Sequence, residues 1–171
     1  MDDAHTSFMT EGPANIIIRD GAPEDTDQVI GLIGRCFAAY PGCVLDLPGL
    51  DADLPRICDT FARQNGRFWV AERAGTVLGC IGYVPCGQDV VELKRLYVDA
   101  SSRRSGLATA LLNRVLHAAQ SVHATRIDLW SDTRFVEAHA FYHKHGFVMP
   151  GEMRDLHDPS NTTEYLFQKR L

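Results

Sequence analysis

The sequence predicts an α/β (α+β) fold, with a central mixed, twisted sheet of about six to seven strands flanked by about four helices. Three observations predict it. Apolar periodicity along the chain gives the element order βααβββαβαββ. In the second half strands alternate with helices, which implies parallel pairing there. And the strand pattern at Val90 to Val98 changes phase partway along. Val91 and Leu93 alternate, then Leu96 and Val98 take over, and a one-residue slip in a period of two is the mark of a β-bulge.

The elements follow in order. Asn15 to Arg19 is a short apolar strand. Pro23 to Ala39 reads as a helix, with proline and acids in the first turn and Val29, Ile30, Ile33 and Phe37 at helical spacing. Prolines and glycines break Tyr40 to Leu54 into loop, and Pro55 to Gln64 is a second short helix. Arg67 to Glu72 and Val77 to Val84 are strands joined by the hairpin signal Arg73-Ala74-Gly75-Thr76. After Val90 to Val98 comes a helix over Gly106 to Gln120, with Leu107, Leu111, Leu112, Val115 and Ala119 on one face. Arg126 to Trp130 is a strand, Phe135 to His145 a helix, Phe147 onward a strand, and Thr162 to Gln168 the last strand.

A chain of 171 residues fits one domain, expected over 15–171, with residues 1–14 as an acidic, polar and mobile lead-in rather than a signal peptide. The formal charge of −5 argues against a general nucleic-acid binder, and no apolar run reaches the length that spans a bilayer. Five cysteines without a C-x-x-C motif favour free thiols in a reducing compartment, so a cytoplasmic location is expected.

The segment Arg103 to Leu112 (RRSGLATALL) starts a helix on two arginines, a serine and a glycine. A helix N-terminus offers unpaired N–H groups and the positive end of the dipole, Gly106 leaves the backbone bare, and Arg103 and Arg104 add charge. Either an anion site or a plain helix start with solvated arginines fits this spacing. It is neither a Walker A loop nor G-x-G-x-x-G.

Arg103-Arg104-Ser105-Gly106-Leu107-Ala108 resembles the R/Q-x-x-G-x-G/A signature of the GNAT acetyltransferases, and Ala138 to Phe147 (AHAFYHKHGF) resembles that family's second motif. The two motifs fall in the family's order, and the element order matches from Asn15 onward. The resemblance implies a sheet splayed between the fourth and fifth strands. It implies acetyl-CoA as acyl donor, with its pyrophosphate at Arg103, Arg104, Ser105, Gly106, Leu107, Ala108 and Thr109. Its pantetheine arm would pair with the backbone of Leu96, Tyr97 and Val98.

Acyl transfer to an amine needs a neutral amine, a donor to the thioester carbonyl and a proton for the departing thiolate. By the resemblance Tyr142 is the general acid, next to the donor site, and a phenol is protonated at pH 7. Its alternative is a core tyrosine beside Phe135, Ala138 and Phe141. Glu92 is the candidate base, with Asp132 and His139 behind it; Asp132 could instead cap the following helix. Arg134, together with Asp132, is a candidate for the acceptor side: it could hold a substrate carboxylate, or pair with Asp132. His139 and His143 stand i, i+4, but no third metal ligand accompanies them and no metal is expected. Asp46, Asp51 and Asp53 in the 40–54 loop could attract a cationic amine, or be solvated.

The leading expectation is an N-acetyltransferase acting on a small primary amine. The alternatives are transfer to a protein lysine or N-terminus, and a non-catalytic acyl-CoA-binding module. A homodimer is compatible with either, and neither nucleic acid nor membrane is an expected partner.

Overall fold

In a computed structural model, which describes residues 10–12 and 15–171, eight strands form one sheet in the order β1-β2-β3-β4-β5-β6-β8-β7. The strands are β1 (Thr10–Gly12), β2 (Ile16–Asp20), β3 (Arg67–Arg73), β4 (Thr76–Gly87), β5 (Val90–Val98), β6 (Arg126–Asp132), β7 (Met153–Asp155) and β8 (Thr163–Arg170). Every neighbouring pair is antiparallel except β5–β6, which is parallel as the strand–helix alternation requires. Four helices cover the two faces: α1 (Thr26–Ala38), α2 (Ile57–Arg63), α3 (Leu107–Ser121) and α4 (Val136–Lys144).

The faces follow from side-chain alternation. On one face Val91, Leu93, Ile127 and Leu129 meet the Leu107–Leu111–Leu112–Val115–Ala119 stripe of α3 and Tyr142 of α4, all buried. On the other, Val70, Cys80 and Val84 meet Val29, Leu32 and Ile33 of α1 and Ile57 and Phe61 of α2. Gly82 lets α2 come this close, because a Cβ there would stand 2.3 Å from the Phe61 ring. The β3–β4 hairpin turns at Ala74 (φ +49°) and Gly75 (φ +79°), the double left-handed geometry that a two-residue loop favours.

The structure departs from the sequence reading at three places. Thr10–Gly12 adds an edge strand on β2, which a period-based reading of an acidic, polar segment does not reveal. The rest of the 1–14 lead-in lies outside the described residues. Both proline-led helices open on a 3₁₀ turn, Pro23–Asp25 and Leu54–Arg56, before the α-helical stretch. The strand expected from Phe147 is interrupted: Val148 makes one bridge to Gln168, and pairing resumes only at Met153. Pro150 has no N–H to give to a ladder, and Gly151 sits at φ +106°.

Candidate active site

The cleft arises from a bulge and a divergence. On β4, Cys80 faces Tyr97 and Gly82 faces Lys94, so Arg95 and Leu96 together oppose Ile81. This is the two-against-one count of a β-bulge, at the place where the sequence changes phase. Arg95 occupies the left-handed region at φ +62°. On the other side, β5 and β6 pair only from Val90↔Arg126 to Glu92↔Asp128. Beyond Glu92 the two parallel strands diverge. This is the splay that the resemblance implies between the fourth and fifth strands, moved to β5 and β6 by the added edge strand Thr10–Gly12. The β5 edge facing the gap keeps backbone groups that β6 does not take up. A cavity of about 400 Å³ fills the divergence, lined by Glu92 to Tyr97 of β5, Leu129 to Asp132 of β6 and Tyr142 of α4.

After β5 the chain passes through a 3₁₀ turn at Ala100–Ser102 into α3. Gly106 precedes it at φ +82°, and a Cβ there would meet nothing within 4 Å. The first helical hydrogen bond runs from the Ala110 amide to the Gly106 carbonyl, so no backbone carbonyl among the described residues takes the amides of Leu107, Ala108 and Thr109. The side chains around this cradle turn elsewhere. Ser105 Oγ donates to the Ser102 carbonyl (2.6 Å), and Thr109 Oγ1 lies 3.2 Å from His145 Nε2. Since His145 Nδ1 donates to the Phe141 carbonyl at 2.8 Å, neutral His145 accepts from Thr109 at Nε2. What Ser105 and Thr109 can offer an anion is therefore their backbone. Arg103 and Arg104 are exposed; Arg103 approaches Glu137 at 3.9 Å and also lies beside the Cys36 thiol.

Two phenols reach the cleft. Tyr142 is 6% exposed, its ring packed against Phe147 (5.6 Å) and Phe167 (5.5 Å). Its hydroxyl has no hydrogen-bond partner among the described residues, and burial raises its pKa above the ordinary phenol value. Tyr97, expected to contribute only backbone, also lines the cavity with its side chain, which packs edge-on to Phe37 at 5.8 Å. Burial raises its pKa as well.

The carboxylates form a row on the opposite side. Glu92 stands where β5 leaves β6, half-buried, 3.6 Å from Lys94 Nζ. Glu164 lies directly across from Asp132 on the β6–β8 ladder and from Arg154 on β7. Burial pushes the Glu164 pKa up; Arg154, donating to it at 2.6 Å, opposes that shift, and Asp132 and Glu92 add to it. The Arg154 guanidinium lies 4.3 Å above the Trp130 ring. Sequence reasoning missed Glu164 and Arg154, because only cross-strand register brings them to the cleft, and alternation in the last strand marks Glu164 merely as facing away from the core.

The two candidates for the acceptor side are joined to each other. Arg134 donates from Nε to Asp132 Oδ1 (2.9 Å) and from a terminal nitrogen to Oδ2 (2.6 Å), and Asp132 also caps the Arg134 amide (2.8 Å). Asp132 lines the cavity; His139 Nε2 donates to its carbonyl at 3.0 Å, while His143 Nδ1 donates to the Phe147 carbonyl at 3.2 Å. The acidic loop does not offer free charge as the sequence suggested. Asp51 and Asp53 pair with Arg95, and Asp46 accepts from the Leu50 amide within its own turn. All five cysteines are free thiols.

Comparison with known proteins places these features in context. The family model described as Acetyltransferase (GNAT) family matches residues 22–147. Over 107 residues the chain is 33% identical to N-acetyltransferase family 8 member 2 of Rattus norvegicus, covering 60% of this chain and 47% of that protein. The chain thus spans about half the length of this curated relative. An acetyltransferase of the GNAT family from Staphylococcus aureus Mu50 superposes with TM-score 0.79 at 21% identity, covering 91% of this chain and 99% of that one. The PaiA N-acetyltransferase of Thermoplasma acidophilum, in complex with coenzyme A, does so with TM-score 0.73 at 17% identity over 92% of this chain and 100% of that one.

Proposed function

The chain belongs to the GNAT acetyltransferase family, and on that premise we propose that it is an acetyl-CoA-dependent N-acetyltransferase acting on a primary amine of a small molecule. The observation that carries this reading is the phenol of Tyr142, whose ring is buried and whose hydroxyl no described side chain holds, in the cleft where β5 leaves β6. We take 15–171 to be a single domain, with Thr10–Gly12 paired onto the edge of its sheet. Among the described residues no helix is long and apolar enough to cross a membrane. The free thiols fit a reducing compartment, and we read the protein as cytoplasmic.

The residues present fit the donor. The open amides of Leu107, Ala108 and Thr109, with those of Arg104 to Gly106, would hold the pyrophosphate, and Arg103 and Arg104 would add charge at the mouth. The free edge of Leu96, Tyr97 and Val98 would pair with pantetheine amides. Acetyl-CoA supplies an acetyl group activated as a thioester. Glu92 removes a proton from the acceptor ammonium, so that the neutral nitrogen can attack the carbonyl carbon. As the carbon–sulfur bond breaks, Tyr142 would give its hydroxyl proton to the sulfur, and the second proton that the attacking nitrogen sheds as the amide forms would restore the phenol through water in the cleft. Burial holds the phenol in its protonated form, the form that carries a proton to give. Glu164 offers a second base, its carboxyl biased toward holding a proton closer to neutrality. Asp132, oriented and neutralised by Arg134, forms the acceptor-side wall.

Mass spectrometry after incubation with acetyl-CoA and a panel of small amines, lysine peptides and peptide N-termini tests the proposal. Acetylated small amines are the expected product. Acetylation confined to peptides would move the acceptor to proteins, and acetyl-CoA binding without any product would leave a binding module.

A further inference from the structure

Arg95 joins two parts of the cleft that no backbone pairing connects. We propose that it is a positioning residue coupling the donor strand to the acceptor-side loop, so that acetyl-CoA bound along β5 orders the 44–54 loop before the amine arrives. This rests on the donor reading above.

The bulge decides where Arg95 points. Strict alternation from Leu93 would place residue 95 on the α3 face, where Leu107 and Leu111 are packed. The extra residue gives that place to Leu96 and turns the guanidinium toward the α1–α2 face. There it meets two carboxylates of one short turn. Arg95 donates to Asp51 Oδ1 at 2.8 Å and to both oxygens of Asp53, one of them at 3.2 Å from Nε. The side chains of Arg95 and Asp51 are 15% and 4% exposed, so the pair is screened from water. Asp51 passes the restraint on: its second oxygen accepts the Asp46 amide at 2.9 Å. Leu50, Asp51 and Asp53 line the same cavity as Glu92 and Tyr142. A second tie, between Val44 and the Ser160 hydroxyl (2.9 Å from the Val44 amide), fixes the loop's other end.

The backbone of Arg95 is strained, and that makes the link responsive. A left-handed conformation is unfavourable for a residue with a side chain and persists only where its surroundings over-determine it. Two restraints act on it here, the side-chain fork to the loop and the thiol of Cys80 donating to the Arg95 carbonyl at 3.1 Å. Pairing of pantetheine with Leu96 to Val98 would add a third next to the bulge. By linkage, whatever stabilises the bulge then also stabilises the loop held by its side chain.

Hydrogen exchange with acetyl-CoA as the probe tests this, after calorimetry has established its Kd. In the wild-type protein, acetyl-CoA should slow exchange of the 44–54 amides severalfold. Arg95→Gly keeps the left-handed residue without strain but removes the fork. Its loop should exchange about tenfold faster and no longer respond, while the Kd for acetyl-CoA weakens by no more than the severalfold factor lost from the loop response. Asp51→Asn with Asp53→Asn should reproduce the lost response from the other side, and Arg95→Lys should restore part of it. Failure of the wild-type protein to bind acetyl-CoA would overturn the donor reading and this inference with it. Binding without a loop response, or a response that persists in Arg95→Gly, would overturn the coupling alone.

Discussion

Replacing Gly106 by alanine separates a phosphate cradle from an ordinary helix start. The glycine sits at φ +82°, and a side chain in the left-handed region costs about 1–2 kcal/mol, offset in part by about 0.4–1 kcal/mol from a stiffer unfolded chain. The net loss of about 1 kcal/mol should lower Tm by about 2–4 °C for a chain of this size. The new Cβ meets no protein atom within 4 Å, so any further penalty falls on whatever occupies the space outside. If a pyrophosphate lies against the amides of Leu107 and Ala108, the methyl group displaces it from at least one charge-assisted hydrogen bond worth about 1.5–3 kcal/mol. Acetyl-CoA should therefore bind about 10- to 150-fold more weakly by calorimetry. Acetyl-pantetheine, which lacks the pyrophosphate, should bind the variant and the wild type alike. Gly151→Ala is the control: it has the same kind of strain, at φ +106°, with open space around it, on a segment away from the cleft. It should shift Tm without changing acetyl-CoA affinity. An unchanged Kd in Gly106→Ala would refute the cradle, and an equal loss with acetyl-pantetheine would show that the substitution acts through the fold.

Other outcomes follow from the same geometry. Tyr142→Phe should lower turnover by about 10²–10⁴ with acetyl-CoA affinity held within a few-fold; because burial raises the phenol pKa, the wild-type rate should show no alkaline limb from this group up to about pH 10 in a pH–rate profile. Arg134→Ala strips the partner from a carboxylate that is 7% exposed, so thermal melts should show a loss of about 1–3 kcal/mol; a raised amine KM at unchanged stability would instead put Arg134 in direct contact with a substrate carboxylate. Hydrogen bonds from Arg19 hold Asp25 below the usual carboxylate pKa despite its burial. A depressed folded-state value means that the stabilisation is fully present above the ordinary carboxylate range and is lost as the pH falls from there through the depressed folded-state value, so urea melts of Asp25→Asn and wild type should differ at pH 6 and draw together as the pH falls below the ordinary carboxylate range.

The sequence was most legible where periodicity is strong. The α3 stripe is buried at each position that helical spacing names, and the phase slip in Val90–Val98 is a bulge at Arg95 and Leu96. Local runs were legible too: Arg103 to Gly106 form the turn and Leu107 to Thr109 the start of the helix that the sequence reads there. What lay hidden depends on register between strands distant in the chain. Glu164, Asp132 and Arg154 stand in one row only because β6, β8 and β7 pair with a particular register. The fate of Asp51 and Asp53 was equally hidden, because it depends on which way the bulge turns Arg95. A three-residue strand such as Thr10–Gly12 owes its existence to a neighbour's open edge rather than to its own composition.

Single-turnover transfer most directly tests whether this cleft performs acyl transfer. Protein in excess over acetyl-CoA is mixed with an amine found in the product screen, and free CoA thiol and acetylated amine are followed together, which removes product release from the measured rate. The proposed mechanism predicts one thiol released for each amine acetylated, at a rate that rises with amine concentration and falls by about 10²–10⁴ in Tyr142→Phe. Thiol release that ignores the amine, or full single-turnover activity in Tyr142→Phe, would contradict it.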